Sequence, residues 1–189
     1  MNLPNKLTVL RVLFIPVFLA FFLIKEIPGN YIYALAVFAI ASLTDMLDGK
    51  IARARGLITD FGVLMDPLAD KLLVMAAMIC FIPAGMAHVL IVITILAREF
   101  LVTSIRLVAA GKGYVLAADN LGKLKTVFQM VWICAGLLML CLGDLLPPEA
   151  ALMPALWAAY HFMTGLTLSL TVVSGINYVV KNRALFTDT

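Results

Sequence analysis

Six long apolar runs, at about 7–24, 31–50, 63–82, 86–110, 124–142 and 152–180, leave this chain little room for anything else. About 20 predominantly apolar residues are enough to cross the hydrocarbon core of a bilayer as a helix. A chain in lipid must pair its backbone polar groups internally, which favours helices throughout. The expected fold is therefore all-α, an integral membrane protein with six transmembrane helices. Composition excludes the main alternative. The 189 residues are 63% hydrophobic and 13% charged, whereas soluble domains are about 45–50% apolar and about 25% charged. Disorder, a disulfide scaffold and a repeat array are excluded on the same grounds.

The breaks between runs fall at Lys25 to Asn30, Arg53 to Phe61, Pro83 to Gly85, Gly111 to Gly122 and Gly143 to Glu149. None is long enough for a separate domain. We expect one transmembrane domain over residues 1–189, with a short juxtamembrane segment at about 1–8. Cytoplasmic loops carry the excess of Lys and Arg. Lys6, Arg11, Lys50, Arg53, Arg55, Lys71, Arg98, Arg106, Lys112, Lys123, Lys125, Lys181 and Arg183 all fall on one side of a six-span layout, against Lys25 on the other. Both termini are thus expected in the cytoplasm. A cleaved signal peptide is not expected, because the first run contains Arg11 and Pro16 and no small-residue cleavage site closes it.

Cys80, Cys134 and Cys141 lie within apolar runs without pair spacing or a nearby His, which fits packing better than metal binding or a disulfide. His88 and His161 stand alone near the expected outer face and read as interfacial or packing residues.

The carboxylates are the anomaly. Asp45, Asp48, Asp66 and Asp70 lie at or near the expected cytoplasmic ends of spans two and three. An ionised group costs roughly 2.5–3.5 kcal/mol at a helix centre, falling toward the interface. A single such Asp is easily explained as a solvated helix end, or as a partner for Arg53, Arg55 or Lys71. Four are harder to explain this way, because Asp45 and Asp48 are spaced i, i+3 and Asp66 and Asp70 i, i+4, so each pair shares a helix face. If the chain reverses near Leu57, antiparallel spans bring the two pairs to the same depth. Four converging carboxylates repel and need cations. Oxygen-only ligands suit Mg²⁺, Mn²⁺ or Ca²⁺, and two metals about 3.5–4 Å apart clamp a transferring phosphoryl group. Gly49, Ala52 and Gly62 add space on these faces. Helix packing also uses small residues, and taken alone Gly49 and Ala52 fit that use better.

Read together, Asp45-x-x-Asp48-Gly49-x-x-Ala52-Arg53, then eight residues, then Gly62-x-x-x-Asp66-x-x-x-Asp70 resembles the signature of the CDP-alcohol phosphotransferase family at each defining position. The resemblance implies displacement of CMP from a CDP-linked substrate by an alcohol hydroxyl, with two divalent cations, Mg²⁺ or Mn²⁺, held by Asp45, Asp48, Asp66 and Asp70. It further implies that Asp70 is the base for the acceptor hydroxyl. By the same resemblance Asp48, Gly49, Ala52, Arg53, Gly62 and Asp66 form the CDP site, joined by Asn5 and Thr8 from the segment before span one.

The acceptor is addressed by basic residues. Arg98, Arg106, Lys123 and Lys125 surround the connection after span four, and Asn120 with Gly122 is placed to open span five, whose free N–H groups suit an anion. Positive-inside bias explains Lys112, Lys181 and Arg183 equally well, but Arg98 lies deep within an apolar run, where snorkelling is less comfortable. The flanking words Asn2-Leu3-Pro4-Asn5-Lys6-Leu7-Thr8, Asp66-Pro67-Leu68-Ala69-Asp70-Lys71, Arg98-Glu99-Phe100, Gly122-Lys123-Leu124-Lys125-Thr126 and Ser174-Gly175 with Tyr178 resemble the bacterial branch of the family that uses sn-glycerol 3-phosphate. The implied reaction joins CDP-diacylglycerol to sn-glycerol 3-phosphate, giving phosphatidylglycerol phosphate and CMP. Also implied are a homodimer in the bacterial inner membrane, contact with membrane lipid, an active site at the cytoplasmic face and no nucleic-acid partner. Other acceptors within the family, namely inositol phosphate, serine or phosphatidylglycerol, stay open. From other classes, a cation channel or transporter and a non-catalytic scaffold remain as rivals.

Overall fold

A computed structural model describes residues 3–55, 60–114, 116, 119–147 and 150–183, with side chains described for these apart from 3–9, 11 and 45–70. Six helices occupy the six apolar runs: α1 (Leu3–Leu23), α2 (Asn30–Arg55), α3 (Asp60–Phe81), α4 (Val89–Gly111), α5 (Asn120–Leu145) and α6 (Met153–Lys181). No strand occurs among the described residues.

Local chemistry sets the described helix ends. His88 caps α4, its Nδ1 accepting the Leu90 N–H at 3.3 Å. At the other end of α4 the chain turns at Gly113, whose φ of 79° suits glycine, and the Tyr114 N–H returns to the Ala109 carbonyl at 2.8 Å. Helix α5 opens at Asn120, the position expected from the sequence. Helix α6 carries Pro154 in its first turn, where a missing N–H costs nothing.

The helices fall into two compact units, Met1–Pro83 with Ile133–Ala150, and Ala84–Trp132 with Ala151–Thr189. In the first unit α1 packs against α2 and α3. Phe18 is its fully buried anchor, with the Phe38 ring 6.1 Å away and the Phe22 ring 5.8 Å away. Asn30, buried at the start of α2, donates to the Phe22 carbonyl at 3.4 Å and ties α2 to the last turn of α1. Cys80 and Cys141 are buried and unpaired, in keeping with a packing role.

In the second unit α4 packs against α6, with Val102, Ile105 and Tyr178 forming a buried cluster. Between Tyr160 and Tyr178 the buried face of α6 carries small and polar residues, Thr164, Thr167, Thr171, Ser174 and Gly175, spaced at helical repeats. Three of the hydroxyls bond within the helix, Thr164 to the Tyr160 carbonyl at 2.8 Å, Thr171 to the Thr167 carbonyl at 2.7 Å and Ser174 to the Thr171 carbonyl at 3.1 Å. Trp132 donates its Nε1–H to Thr164 Oγ1 at 2.8 Å and stacks on Tyr160. Outward-facing side chains are the large apolar ones: Phe162 is 75% exposed, Leu107 64% and Ile176 60%, whereas Thr167 and Thr171 are 0%. This inversion suits lipid rather than water, with small residues at the helix contact and bulk outside. His161 is exposed and stacks on Trp157 with ring centroids 5.5 Å apart.

Helices α5 and α6 are each long and apolar enough to cross a membrane. The described apolar segments of α1, α2 and α3 are shorter, Val12–Leu23, Asn30–Thr44 and Lys71–Phe81. Helix α4 has the length but carries Arg98, Glu99 and Arg106 within its apolar sequence.

Candidate active site

The four aspartates sit on two helices of the first unit. Asp45 and Asp48 lie in α2, and Asp66 and Asp70 in α3. Both segments are helical, so the i, i+3 and i, i+4 spacings do place each pair on one face. Gly49, Ala52 and Arg53 continue α2 beyond Asp48, and Gly62 lies one turn before Asp66 in α3. Asn5 and Thr8 fall within α1, which begins at Leu3, ahead of the apolar run that starts at about residue 7. The short juxtamembrane segment expected at about 1–8 is accordingly helical from Leu3 onward. The side chains of all these residues, and the reversal expected near Leu57, lie outside what the structure describes. Among the described residues no three His, Cys, Asp or Glu side chains gather as a metal site. By its chemistry the donor set suits a hard cation, being made only of carboxylates.

The basic residues belong to the second unit, and two of the four come together. Arg98 of α4 donates from Nη1 to Glu99 Oε1 at 3.0 Å, and Lys125 of α5 donates from Nζ to the same oxygen. Lys125 is almost fully enclosed, with 1% of its side chain exposed, and Arg98 has 11%. Two glycines make room for Arg98, Gly175 beside its stem and Gly122 beside its guanidinium. A Cβ on Gly175 of α6 would lie 3.0 Å from Arg98 Cγ, and one on Gly122 of α5 would lie 3.4 Å from Nη2. Arg98 thus threads between α5 and α6 where both lack side chains.

Arg106 stands apart, eight residues further along α4, or about 12 Å of helix. Its Nε donates to the Tyr178 hydroxyl at 3.2 Å, and its guanidinium lies 5.6 Å from the centre of that ring. Lys123 is exposed. The four cations expected to hold one phosphate are therefore arranged as a buried pair around a carboxylate, a ring-supported Arg106 and an outward Lys123.

A third polar group fastens the connection before α5. Asp119 accepts from Asn177 Nδ2 at 2.8 Å and from Lys181 Nζ at 3.3 Å. Desolvation works against the Asp119 charge, but these two bonds, the Lys181 charge and the Asn120 N–H outweigh it and hold its carboxyl below the usual range. Lys181, which positive-inside bias alone explained from sequence, has a specific partner here. Glu99, Asp119, Asn177 and Tyr178 had no assigned roles in the sequence reading. An acid beside Arg98 inside an apolar run was the available signal for Glu99.

The family model for CDP-alcohol phosphatidyltransferases matches residues 1–173, which include the whole Asp45 to Asp70 segment. The chain belongs to this family. A Bacillus subtilis relative named CDP-diacylglycerol–glycerol-3-phosphate 3-phosphatidyltransferase is 42% identical over 96% of this chain and 95% of its own length. A Rickettsia typhi protein of the same name is 42% identical over 68% of this chain and 72% of its own. A Mycobacterium tuberculosis relative, named a probable phosphatidylglycerophosphate synthase, is 37% identical over 95% of this chain and 81% of its own. The family expected from the aspartate signature is the one found.

Proposed function

We propose that this chain transfers the phosphatidyl group of CDP-diacylglycerol to sn-glycerol 3-phosphate, yielding phosphatidylglycerol phosphate and CMP. The observation that carries this reading is the near end-to-end match to the Bacillus subtilis protein of that name. The aspartate signature supplies the chemistry. Asp45, Asp48, Asp66 and Asp70 hold two divalent cations, Mg²⁺ or Mn²⁺; when bound, these neutralise the diphosphate and the departing phosphate. Asp48 and Asp66 thereby also border the nucleotide, with Gly49, Ala52 and Gly62 leaving space for it and Arg53, Asn5 and Thr8 alongside.

Asp70 takes the proton from the 1-hydroxyl of the acceptor as that oxygen forms a bond to the β-phosphorus, the one esterified to diacylglycerol. The bond from that phosphorus to the oxygen bridging the two phosphates breaks, and its electron pair leaves with CMP. Arg98, Arg106, Lys123 and Lys125 receive the acceptor's own phosphate. In this reading residues 1–189 form one functional unit of six spans in the bacterial inner membrane, with both termini and the active site at the cytoplasmic face. The acyl chains of the donor stay in lipid while glycerol 3-phosphate arrives from water, and the chain works as a homodimer.

The test is CMP release by the purified chain. Asp70→Asn is expected to abolish turnover while largely sparing CDP binding; a mutant that turns over normally removes Asp70 as the base.

A further inference from the structure

Two of the four cations assigned to the acceptor's phosphate already hold an anion. Glu99 Oε1 accepts from both Arg98 and Lys125, although the two come from different helices. The pair is enclosed: Lys125 is 1% exposed, Arg98 11% and Glu99 17%. Gly175 fits closely against the Arg98 stem and Gly122 lies beside its guanidinium, so the side chain runs in a narrow space between the two helices. Arg98 also retains a buried Nε–H without a hydrogen-bond partner, a donor that this arrangement leaves unused.

We propose that Glu99 is an internal counter-anion, which the acceptor's phosphate displaces from Arg98 and Lys125 as it binds. The proposal rests on the reading that these cations receive that phosphate. An ammonium and a guanidinium brought together away from water repel, and each loses hydration. A carboxylate between them offsets both costs before the substrate arrives. A phosphate dianion carries more charge and more acceptor oxygens than a carboxylate, so it outcompetes Glu99 and has donors left to fill, Arg98 Nε among them. Binding then exchanges one anion for another, and the cations are never left bare. The competition weakens affinity for the acceptor and returns Glu99 to its partners when the phosphorylated product departs.

This predicts a gain of binding from loss of a charge. In the full chain in detergent at constant ionic strength, the Kd for sn-glycerol 3-phosphate and for inorganic phosphate is measured by titration calorimetry. Glu99→Gln, which keeps the shape and removes the charge, is expected to lower both Kd values by about tenfold, equivalent to roughly 1.4 kcal/mol. Glu99→Asp keeps the charge but withdraws it by one methylene, and is expected to lower them less. A side chain that merely held the two cations in place would weaken binding when neutralised. A Kd that rises or stays unchanged in Glu99→Gln therefore overturns the proposal, and Glu99→Asp decides by the same sign if the Gln variant does not fold. Inorganic phosphate keeps this test separate from the proposed reaction: absence of CMP release with glycerol 3-phosphate counts against the reaction, whereas the phosphate Kd still judges Glu99.

Discussion

Arg106 and Tyr178 show what a single contact contributes in this chain. Tyr178 is buried, and it presents both its hydroxyl and its ring to an arginine 72 positions away. Arg106→Ala is expected to raise KM for glycerol 3-phosphate while changing kcat little, because a group that binds substrate and transition state alike acts on KM. An unchanged KM removes Arg106 from the phosphate site. Tyr178→Phe loses the hydrogen bond but keeps the ring face, so its KM is expected to rise by less. At Gly175 the constraint is space. A methyl group there meets Arg98 Cγ at 3.0 Å, and Gly175→Ala is expected to displace the arginine and reduce CMP release; full activity would show that Arg98 can give way without loss. None of these partnerships was legible in the sequence. Glu99 and Lys125 are 26 positions apart, and Asn177 and Asp119 are 58 apart. Spacing within one helix predicts faces, but it says nothing of which face another helix brings alongside. The aspartate signature was legible because each pair lies within a single helix.

At the scale of elements, hydropathy found the helices and left their closure to be seen. Each apolar run became a helix, because long apolar segments with few Gly or Pro inside have no better way to pair their backbones. Helix α1 ran further toward the N-terminus than its apolar core, taking in Asn5 and Thr8, since polar residues in a first turn do not oppose a helix that already has a packed face. Asp119 fastens the start of α5 to the end of α6 through Asn177 and Lys181. Its carboxyl is held below the usual range. A depressed folded value means that the stabilisation is present above the unfolded carboxylate value of about 3.9 and is lost as pH falls through the folded one. Limited proteolysis of the 112–119 connection is expected to stay slow at neutral pH and to accelerate only in acid below about pH 4. Asp119→Ala is expected to show fast cleavage at pH 7, and equal rates for variant and parent would dismiss the fastening. Trp132→Phe removes the Nε1–H donated to Thr164. Hydrogen bonds between membrane helices average about 0.6 kcal/mol, so a small drop in thermal midpoint in detergent is expected, and none at all would make the bond incidental.

For the whole molecule, apolar side chains dominate the composition and also cover much of the described surface, most clearly around α6. Threonines, a serine and glycines line a helix contact while phenylalanine, leucine and isoleucine face outward. The few charges that remain therefore stand out: four aspartates in the sequence of α2 and α3, and, among the described side chains, Arg98 and Lys125 around Glu99 on α4 and α5. From sequence, the aspartates read as a metal site and the basic residues as an acceptor-phosphate site, but the carboxylate that Arg98 and Lys125 share was not foreseen. Membership of the CDP-alcohol phosphatidyltransferase family places these charges in a chain that transfers a phosphatidyl group from CDP-diacylglycerol to glycerol 3-phosphate.

That transfer is tested most directly by CMP release from CDP-diacylglycerol and Mg²⁺ with the purified chain, comparing glycerol 3-phosphate, inositol phosphate, serine and no acceptor. Release is expected with glycerol 3-phosphate alone, and none from Asp70→Asn. Release with a different acceptor would contradict the assignment of the basic residues, and release from Asp70→Asn at the parent's rate would contradict the chemistry assigned to the aspartates.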